Sequence, residues 1–304
     1  MDKGRQTQEL VDRVLEWKER RKAVILSHNY QRAEIQDIAD FVADSLELSR
    51  KAAATDAEVI VFCGVRFMAE TAAILAPDKI VLMPDPTAGC PMADMVNTPE
   101  ILRLKSEHPG APVVCYVNTS AAAKAECDVC CTSANAVSII KGLDASEVIF
   151  LPDKSLGEYC AERTDKRLFL YQGYCPTHHR ILAEDILERK AEHRQAVVMV
   201  HPECTSDVIA LADVVLGTGG MCRYVRETSA RAIIVGTENG IIHRLKKENP
   251  DIAYVPATYR AVCPNMKKIT LEKVLWSLED METRITVPEA IAGRARKAIE
   301  RMVA

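Results

Sequence analysis

Asp213-Val214-Val215-Leu216-Gly217-Thr218 is one of three copies of a single six-residue pattern in this 304-residue chain. The other two are Asp40-Phe41-Val42-Ala43-Asp44-Ser45 and Asp128-Val129-Cys130-Cys131-Thr132-Ser133. Each reads as an Asp, two strand-like residues, two variable residues and a hydroxyl. Twelve residues before each Asp stands a ring: His28, Tyr116 and His201. After each hydroxyl comes a cysteine, with Cys90 45 residues beyond Ser45, Cys175 42 beyond Ser133 and Cys263 45 beyond Thr218. Asp128 and Asp213 are 85 residues apart, the same interval that separates Cys90 from Cys175. The chain is therefore an internal threefold repeat that keeps rings, hydroxyls and thiols in register.

Working outward from the pattern, the spacing of Leu10, Val11, Val14, Leu15 and Trp17 among charges predicts a helix over 7–21. It runs into Ala23-Val24-Ile25-Leu26-Ser27, a continuous apolar run of the kind that forms a buried parallel strand. The same helix-then-strand unit recurs from Ile101 to Cys115 and from Ile186 to Val200. Within the first repeat, strands are expected at Phe41-Val42, at 58–62 and at 79–83, with helices at 33–40, from Ser45 and from Arg66 to Leu75. Matching strands fall at 147–151 and 167–170, and at 232–235 and 252–255. Alternating strands and helices imply right-handed βαβ crossovers and parallel sheets covered on both faces. The expected fold is α/β: three similar three-layer α/β/α domains with short parallel sheets, at 1–97, 98–182 and 183–270, followed by a helical tail at 271–304.

Bulk properties narrow the function. Hydrophobic residues make up 48% of the chain and charged residues 27%, enough for real cores under a polar surface. A net charge of -4 argues against nucleic acid as a partner. The opening Met1-Asp2-Lys3-Gly4-Arg5-Gln6 is polar and does not read as a secretory signal. No apolar run approaches the roughly 20 residues of a membrane span. Eleven cysteines, an odd number without regular pairing, suit free thiols or metal ligands in a reducing cytoplasm better than a disulfide framework.

Ligands of open parallel sheets bind outside the carboxyl ends of the strands. The first strand of each repeat ends there with a polar pair: His28 and Tyr30, Tyr116 and Asn118, His201 and Glu203. Ser45, Ser133 and Thr218 stand where helices begin. They read as N-caps, and equally as the edge of an anion site, because a helix N-terminus presents free N–H groups and the positive end of its dipole. Cys90, Cys175 and Cys263 lie in the loops after the fourth strands, and each is followed by Pro. Three thiolates converging from three repeats suit an iron–sulfur cluster, with one iron left open as a Lewis acid. Cys127-x-x-Cys130-Cys131 has half the spacing of a zinc site but no second half, and reads as structural. Cys63, Cys115, Cys160, Cys204 and Cys222 read as packing residues. Asp40, Asp128 and Asp213, at the far ends of their strands, read as structural as well.

At this point several ordered stretches resemble the quinolinate synthases, the A proteins of bacterial and archaeal NAD biosynthesis. They are Ser27-His28-Asn29-Tyr30, Phe62-Cys63-Gly64-Val65-Arg66-Phe67-Met68-Ala69-Glu70-Thr71, Tyr116-Val117-Asn118-Thr119, Cys131-Thr132-Ser133-Ala134-Asn135-Ala136, Leu151-Pro152-Asp153-Lys154, Val200-His201-Pro202-Glu203 and Cys263-Pro264-Asn265-Met266-Lys267. The resemblance implies three α/β/α domains around a pseudo-threefold axis, with a [4Fe–4S] cluster at the centre held by Cys90, Cys175 and Cys263. It implies condensation of iminoaspartate, supplied by L-aspartate oxidase or dehydrogenase, with dihydroxyacetone phosphate to give quinolinate, phosphate and water. The implied substrate contacts are His28, Ser45, Asn118, Ser133, His178, His201 and Thr218, with Tyr30, Tyr116 and Glu203 for proton transfer. The implied assembly is a monomer or homodimer.

Two positions depart from the family pattern. Some members flank the third cysteine with two more, where this chain has Arg260 and Met266. The hydroxyl pair common in the third repeat is Gly217-Thr218 here. Two other readings of the residues stand beside the resemblance: a different cluster-dependent hydro-lyase acting on a small polycarboxylate, and a non-enzymatic iron–sulfur sensor.

Overall fold

The computed structural model describes residues 3–303; the beginning of the polar N-terminal stretch, Met1-Asp2, and the last residue, Ala304, lie outside the described residues. Helix α1 (Lys3–Arg20) leads into β1 (Ala23–His28), α2 (Ala33–Ile38), β2 (Phe41–Ala43), α3 (Ser45–Ala54), β3 (Val59–Cys63), α4 (Arg66–Leu75) and β4 (Ile80–Leu82). The second set is α5 (Thr98–Glu107), β5 (Val113–Tyr116), α6 (Ala121–Lys124), β6 (Val129–Cys131), α7 (Ala136–Gly142), β7 (Glu147–Leu151), α8 (Lys154–Ala161) and β8 (Arg167–Leu170). The third is α9 (Ala183–Glu192), β9 (Val197–Val200), α10 (Ser206–Ala210), β10 (Val214–Val215), α11 (Thr218–Glu227), β11 (Ala232–Gly236), α12 (Ile241–Glu248) and β12 (Ala253–Pro256). Helices α13 (Leu271–Asp280) and α14 (Glu289–Val303) close the chain.

The three sets form three four-stranded sheets of identical order, β2-β1-β3-β4, β6-β5-β7-β8 and β10-β9-β11-β12, and every strand pair in them is parallel. In each, the chain steps from the first strand to one side and then crosses over to the other. That reversal opens a crevice above the carboxyl end of β1, β5 and β9, where the rings of the repeat stand. Alternation along the strands sends neighbours to opposite faces. In the first sheet Leu26, Ile60 and Phe62 face one core, and Ile25, Val61 and Leu82 face another, roofed by α1, α2 and α13.

The Asp of the repeat has one job in all three copies. Asp40 Oδ2 accepts the Ile25 N–H at 2.8 Å, Asp128 Oδ2 that of Val113 at 2.7 Å and Asp213 Oδ2 that of Val198 at 2.8 Å. The Asp N–H groups donate back to the carbonyls of the same three residues at 3.0, 3.0 and 2.9 Å. Each Asp thus fastens the start of its short strand to the strand beside it, at the end remote from the crevice.

The tail is part of the fold. Helix α14 buries a stripe of Ala292, Ala295, Ala298, Ile299 and Met302 against the core shared by the first two sheets, and Ile299 and Met302 contribute about 1.5–3 kcal/mol each by burial. Arg301 donates to the Asp128 carbonyl at 2.8 Å and Arg296 to that of Ile74 at 3.0 Å, so the helix bridges the first two repeats. At the other end, Arg21 donates to the Leu278 and Glu279 carbonyls and caps the C-terminus of α13.

Asp128→Ala removes one charge-assisted bond of the strand clamp and should lower unfolding free energy by about 1–2 kcal/mol, read as a shift of the urea midpoint under reducing conditions. An unchanged midpoint would remove the Asp from the strand clamp.

Candidate functional site

The three copies of the opening hexapeptide meet. A Cβ placed on Gly217 would stand 2.6 Å from Ser133 Oγ, and one on Gly219 would overlap the Asp44 carboxylate. Asn29 Nδ2, just past β1, donates to Thr218 Oγ1 at 3.0 Å. The first hydroxyl position of the third repeat is therefore glycine because Ser133 occupies the space a side chain would need.

Capping is distributed differently from the sequence expectation. Ser45, Ser133 and Thr218 are not N-caps. Asp44 caps α3, accepting from the Glu47 N–H at 2.9 Å, and Gly217 stands at the N-cap of α11. Helix α7 starts at Ala136 after Asn135, and the Asn135 carboxamide instead accepts the Thr132 N–H at 2.8 Å. A side chain caps only if its oxygen reaches an N–H two or three residues on, and Asp44 does so from the preceding position. The repeat hydroxyls are thereby released from capping at the mouths of their turns, where Thr218 Oγ1 accepts from Asn29 instead.

All thirteen residues singled out above as ligands, contacts or proton carriers line one cavity of about 170 Å³. At its centre is a buried network to which all three repeats contribute. Glu203, 3% exposed, accepts from Tyr116 Oη through Oε1 and lies 2.6 Å from His178 Nδ1 through Oε2. The same His178 Nδ1 is 3.1 Å from Cys175 Sγ. Its Nε2 is 2.8 Å from Thr237 Oγ1, which in turn is 2.6 Å from Tyr30 Oη. His178 also stacks on His201 with ring centroids 4.7 Å apart. Cys175, His178 and Glu203 bring their ligating atoms within 4.8 Å of one another, but these atoms already satisfy each other by hydrogen bonding.

Burial sets the charge states. It drives His28 and His201 down to about 3, against the pull of Glu203, so both rings are neutral. Each accepts a backbone N–H at Nδ1, His28 from Tyr30 at 3.2 Å and His201 from Glu203 at 3.3 Å. A neutral ring that accepts at Nδ1 carries its proton on Nε2, which makes both rings donors. Tyr30 and Tyr116 are pushed well above the usual phenol value by burial and then by the Glu203 charge, so both keep their protons. For Glu203 itself burial acts upward, but His178 beside it, with the hydrogen bonds from His178 and Tyr116, holds the carboxyl well below the usual range. Glu203 is thus a carboxylate with two neutral histidines, His28 and His201, and two protonated tyrosines around it.

The three cysteine loops are built alike. Each Cys-Pro opens a turn of 3-10 helix, at Ala93–Met95, His178–Arg180 and Met266–Lys268. In each, the Cys carbonyl accepts from the residue four on, at 3.2 Å for Asp94, 3.0 Å for His179 and 3.3 Å for Lys267. In each, the backbone N–H three residues on reaches the sulfur: Ala93 to Cys90, His178 to Cys175, Met266 to Cys263. Burial pushes all three thiols up, Cys90 to about 12, and the Cys263 and Cys90 charges add to it at Cys90 and Cys175 respectively. All three sulfurs are free thiols.

Several site residues escaped the sequence analysis. Thr237 joins Tyr30 to His178, as above. Glu238, fully buried, accepts the Cys263 N–H at 3.1 Å and pairs with Lys267 at 2.9 Å. Lys267 donates onward to the Tyr30 carbonyl, tying the first repeat to the third cysteine loop. Asp153, also fully buried, caps α8 and is pushed well above the usual carboxylate value by burial and then by Glu203. Its Oδ2 has no partner among the described residues. Asp153 and Glu238 each stand two residues past their third strands, β7 and β11. Reading the third-strand ends as well as the first would have found them.

The profile of the quinolinate synthetase A protein family matches residues 12–304. The quinolinate synthase of Dehalococcoides mccartyi (strain CBDB1) is 57% identical over 291 residues, 96% of each chain. Quinolinate synthase 1 of Methanosarcina acetivorans is 54% identical over 299 residues, 98% of each chain. The quinolinate synthase of Thermodesulfovibrio yellowstonii is 52% identical over 294 residues, 96% of this chain and 97% of the relative. With near full-length identity joined to a threefold cysteine and ring constellation around one cavity, the chain belongs to the quinolinate synthetase A protein family.

Proposed function

We propose that the chain condenses iminoaspartate with dihydroxyacetone phosphate to give quinolinate, phosphate and water, using a [4Fe–4S] cluster held by Cys90, Cys175 and Cys263. The observation that carries this reading is the opening of three like-built Cys-Pro turns, one per sheet, onto a single cavity that contains a buried carboxylate among neutral donors. The donor set fits such a group: three free thiols whose sulfurs each receive a backbone N–H, the hydrogen bonding that tunes cluster thiolates. When bound, a cluster with three protein ligands supplies an iron open to substrate, a Lewis acid for loss of hydroxide.

The remaining work belongs to side chains of the three units, 1–97, 98–182 and 183–270. The Nε2–H groups of His28 and His201 orient carboxylates, with Asn118, Ser45 and Ser133 as further polar partners. Thr218 takes the phosphate, because the N-terminus of α11 presents free N–H groups beside Gly217 and Gly219. The proton carriers are Tyr116, Glu203 and Tyr30. Tyr116 and Glu203 share a hydrogen bond across which a proton passes, and His178 with Thr237 connects that pair to Tyr30. Burial of this network keeps water from competing for the protons. The substrate imine comes from an L-aspartate oxidase or dehydrogenase in the cytoplasm.

The deciding assay is anaerobic incubation of the purified protein with dihydroxyacetone phosphate and freshly generated iminoaspartate, with quinolinate read by chromatography. Cys175→Ala should lose both the visible iron–sulfur absorbance and product formation; turnover without that absorbance would overturn the cluster reading. Glu203→Gln should keep the absorbance and slow product formation by roughly 10²-fold or more, and a wild-type rate would remove Glu203 from proton transfer.

A further inference from the structure

Behind β5 and β6, outside the cavity, lies a second thiol group. Cys115 and Cys130 face each other in register on the two strands, with sulfurs 3.4 Å apart and both side chains fully buried. Cys127, only partly buried, has one S–H to give, within reach of both Cys115 and the Ala123 carbonyl at 3.1 Å. The last residue of α6, Lys124, is fully buried beside them. It donates to the Thr119 carbonyl and lies 5.3 Å from the centre of the Phe67 ring. Among the described residues no carboxylate pairs with Lys124.

A buried ammonium needs a nearby anion, and the groups beside this one that can become anionic are thiols. The ammonium also speaks against a metal ion, which would add positive charge to a pocket that already holds an unpaired cation. Burial alone would raise the Cys115 thiol, but hydrogen bonds from Cys127 and Cys130, the Lys124 charge and the Thr119 hydroxyl hold it well below the usual thiol value. Cys127 and Cys130 are pushed up, by burial and then by Cys115, so they keep their protons. In the trio Cys115 is the thiol most easily deprotonated.

We propose that Cys115 is a peroxide-reactive thiol, within the influence of the buried Lys124, that closes a disulfide to Cys130. The Cys115 sulfur attacks one peroxide oxygen; the S–O bond forms as the O–O bond breaks, and the hydroxide released is neutralised by the proton Cys115 had given up. The Cys130 thiol then attacks the Cys115 sulfur, forming the S–S bond and expelling the sulfenic oxygen as a second water. Two thiols and one peroxide become one disulfide and two waters. The bond lies one residue from Tyr116, on the strand pair that also leads to Ser133.

The test is peptide mass spectrometry of the anaerobically purified holoenzyme after titration with hydrogen peroxide and alkylation of the remaining thiols. Free Cys115 should disappear roughly tenfold faster than the buried Cys63 and Cys160, which burial above all holds as thiols. A Cys115–Cys130 link reversible by dithiothreitol should appear. Cys127→Ser should keep that link and Cys130→Ser should abolish it. Lys124→Met should slow Cys115 oxidation roughly tenfold by removing the cation. Oxidation of Cys115 no faster than that of Cys63 and Cys160, a disulfide joining a different pair, or an unchanged rate in Lys124→Met would overturn the proposal. Cys90, Cys175 and Cys263 are followed as separate peptides, so loss of a cluster is distinguished from oxidation of the trio.

Discussion

The close approach of three strand-to-helix turns is the constraint on which the rest of the structure depends. Ser133 sits where a side chain at position 217 would have to be, Asp44 sits where one at 219 would, and Asn29 bonds Thr218. With these contacts in place, the carboxyl ends of three separate parallel sheets face one volume. Each repeat then needs only short loops to deliver a ring, a hydroxyl and a thiol to it. Without them the same residues would edge three unrelated crevices.

Within that volume the governing quantity is the cost of burying charge. Glu203 is anionic at 3% exposure because His178 and Tyr116 both bond it. His28 and His201 stay neutral and Tyr30 and Tyr116 keep their protons, since a further buried charge would meet the same desolvation cost. That leaves donors around a single base, a composition suited to a substrate that carries the remaining negative charge itself. The Glu238–Lys267 pair holds Cys263 and the Tyr30 carbonyl in mutual position, and its charges act in the same sense as burial, Lys267 lowering His28 and Glu238 raising Tyr30.

Most of the architecture was legible before any coordinates. Helix α4 falls at Arg66–Leu75 as its pattern predicts, and β7 and β8 match the expected 147–151 and 167–170, because continuous apolar runs bounded by charged helices leave few alternatives. The cysteine ligand candidates were legible for a different reason, that Cys-Pro recurs at one place in each repeat. The capping residues were not. Ser45 and Asp44 are adjacent hydroxyl and carboxylate, and which of them reaches the Glu47 N–H depends on backbone angles that composition does not encode. Thr237, Glu238 and Lys267 were missed because their partners, Tyr30, Cys263 and the Tyr30 carbonyl, are distant in the chain and are brought near only by packing between repeats.

By itself, then, the sequence determined the parallel α/β units, their threefold repetition and the residues that each contributes to a shared site. These follow from local periodicity and register, which are properties of neighbours along the chain. Packing between the repeats decides which residues cap the helices, that His28 and His201 are neutral, and that Lys124 is buried with no carboxylate partner among the described residues. Those depend on desolvation and on atoms that meet across repeats, and neither quantity exists until the sheets have packed.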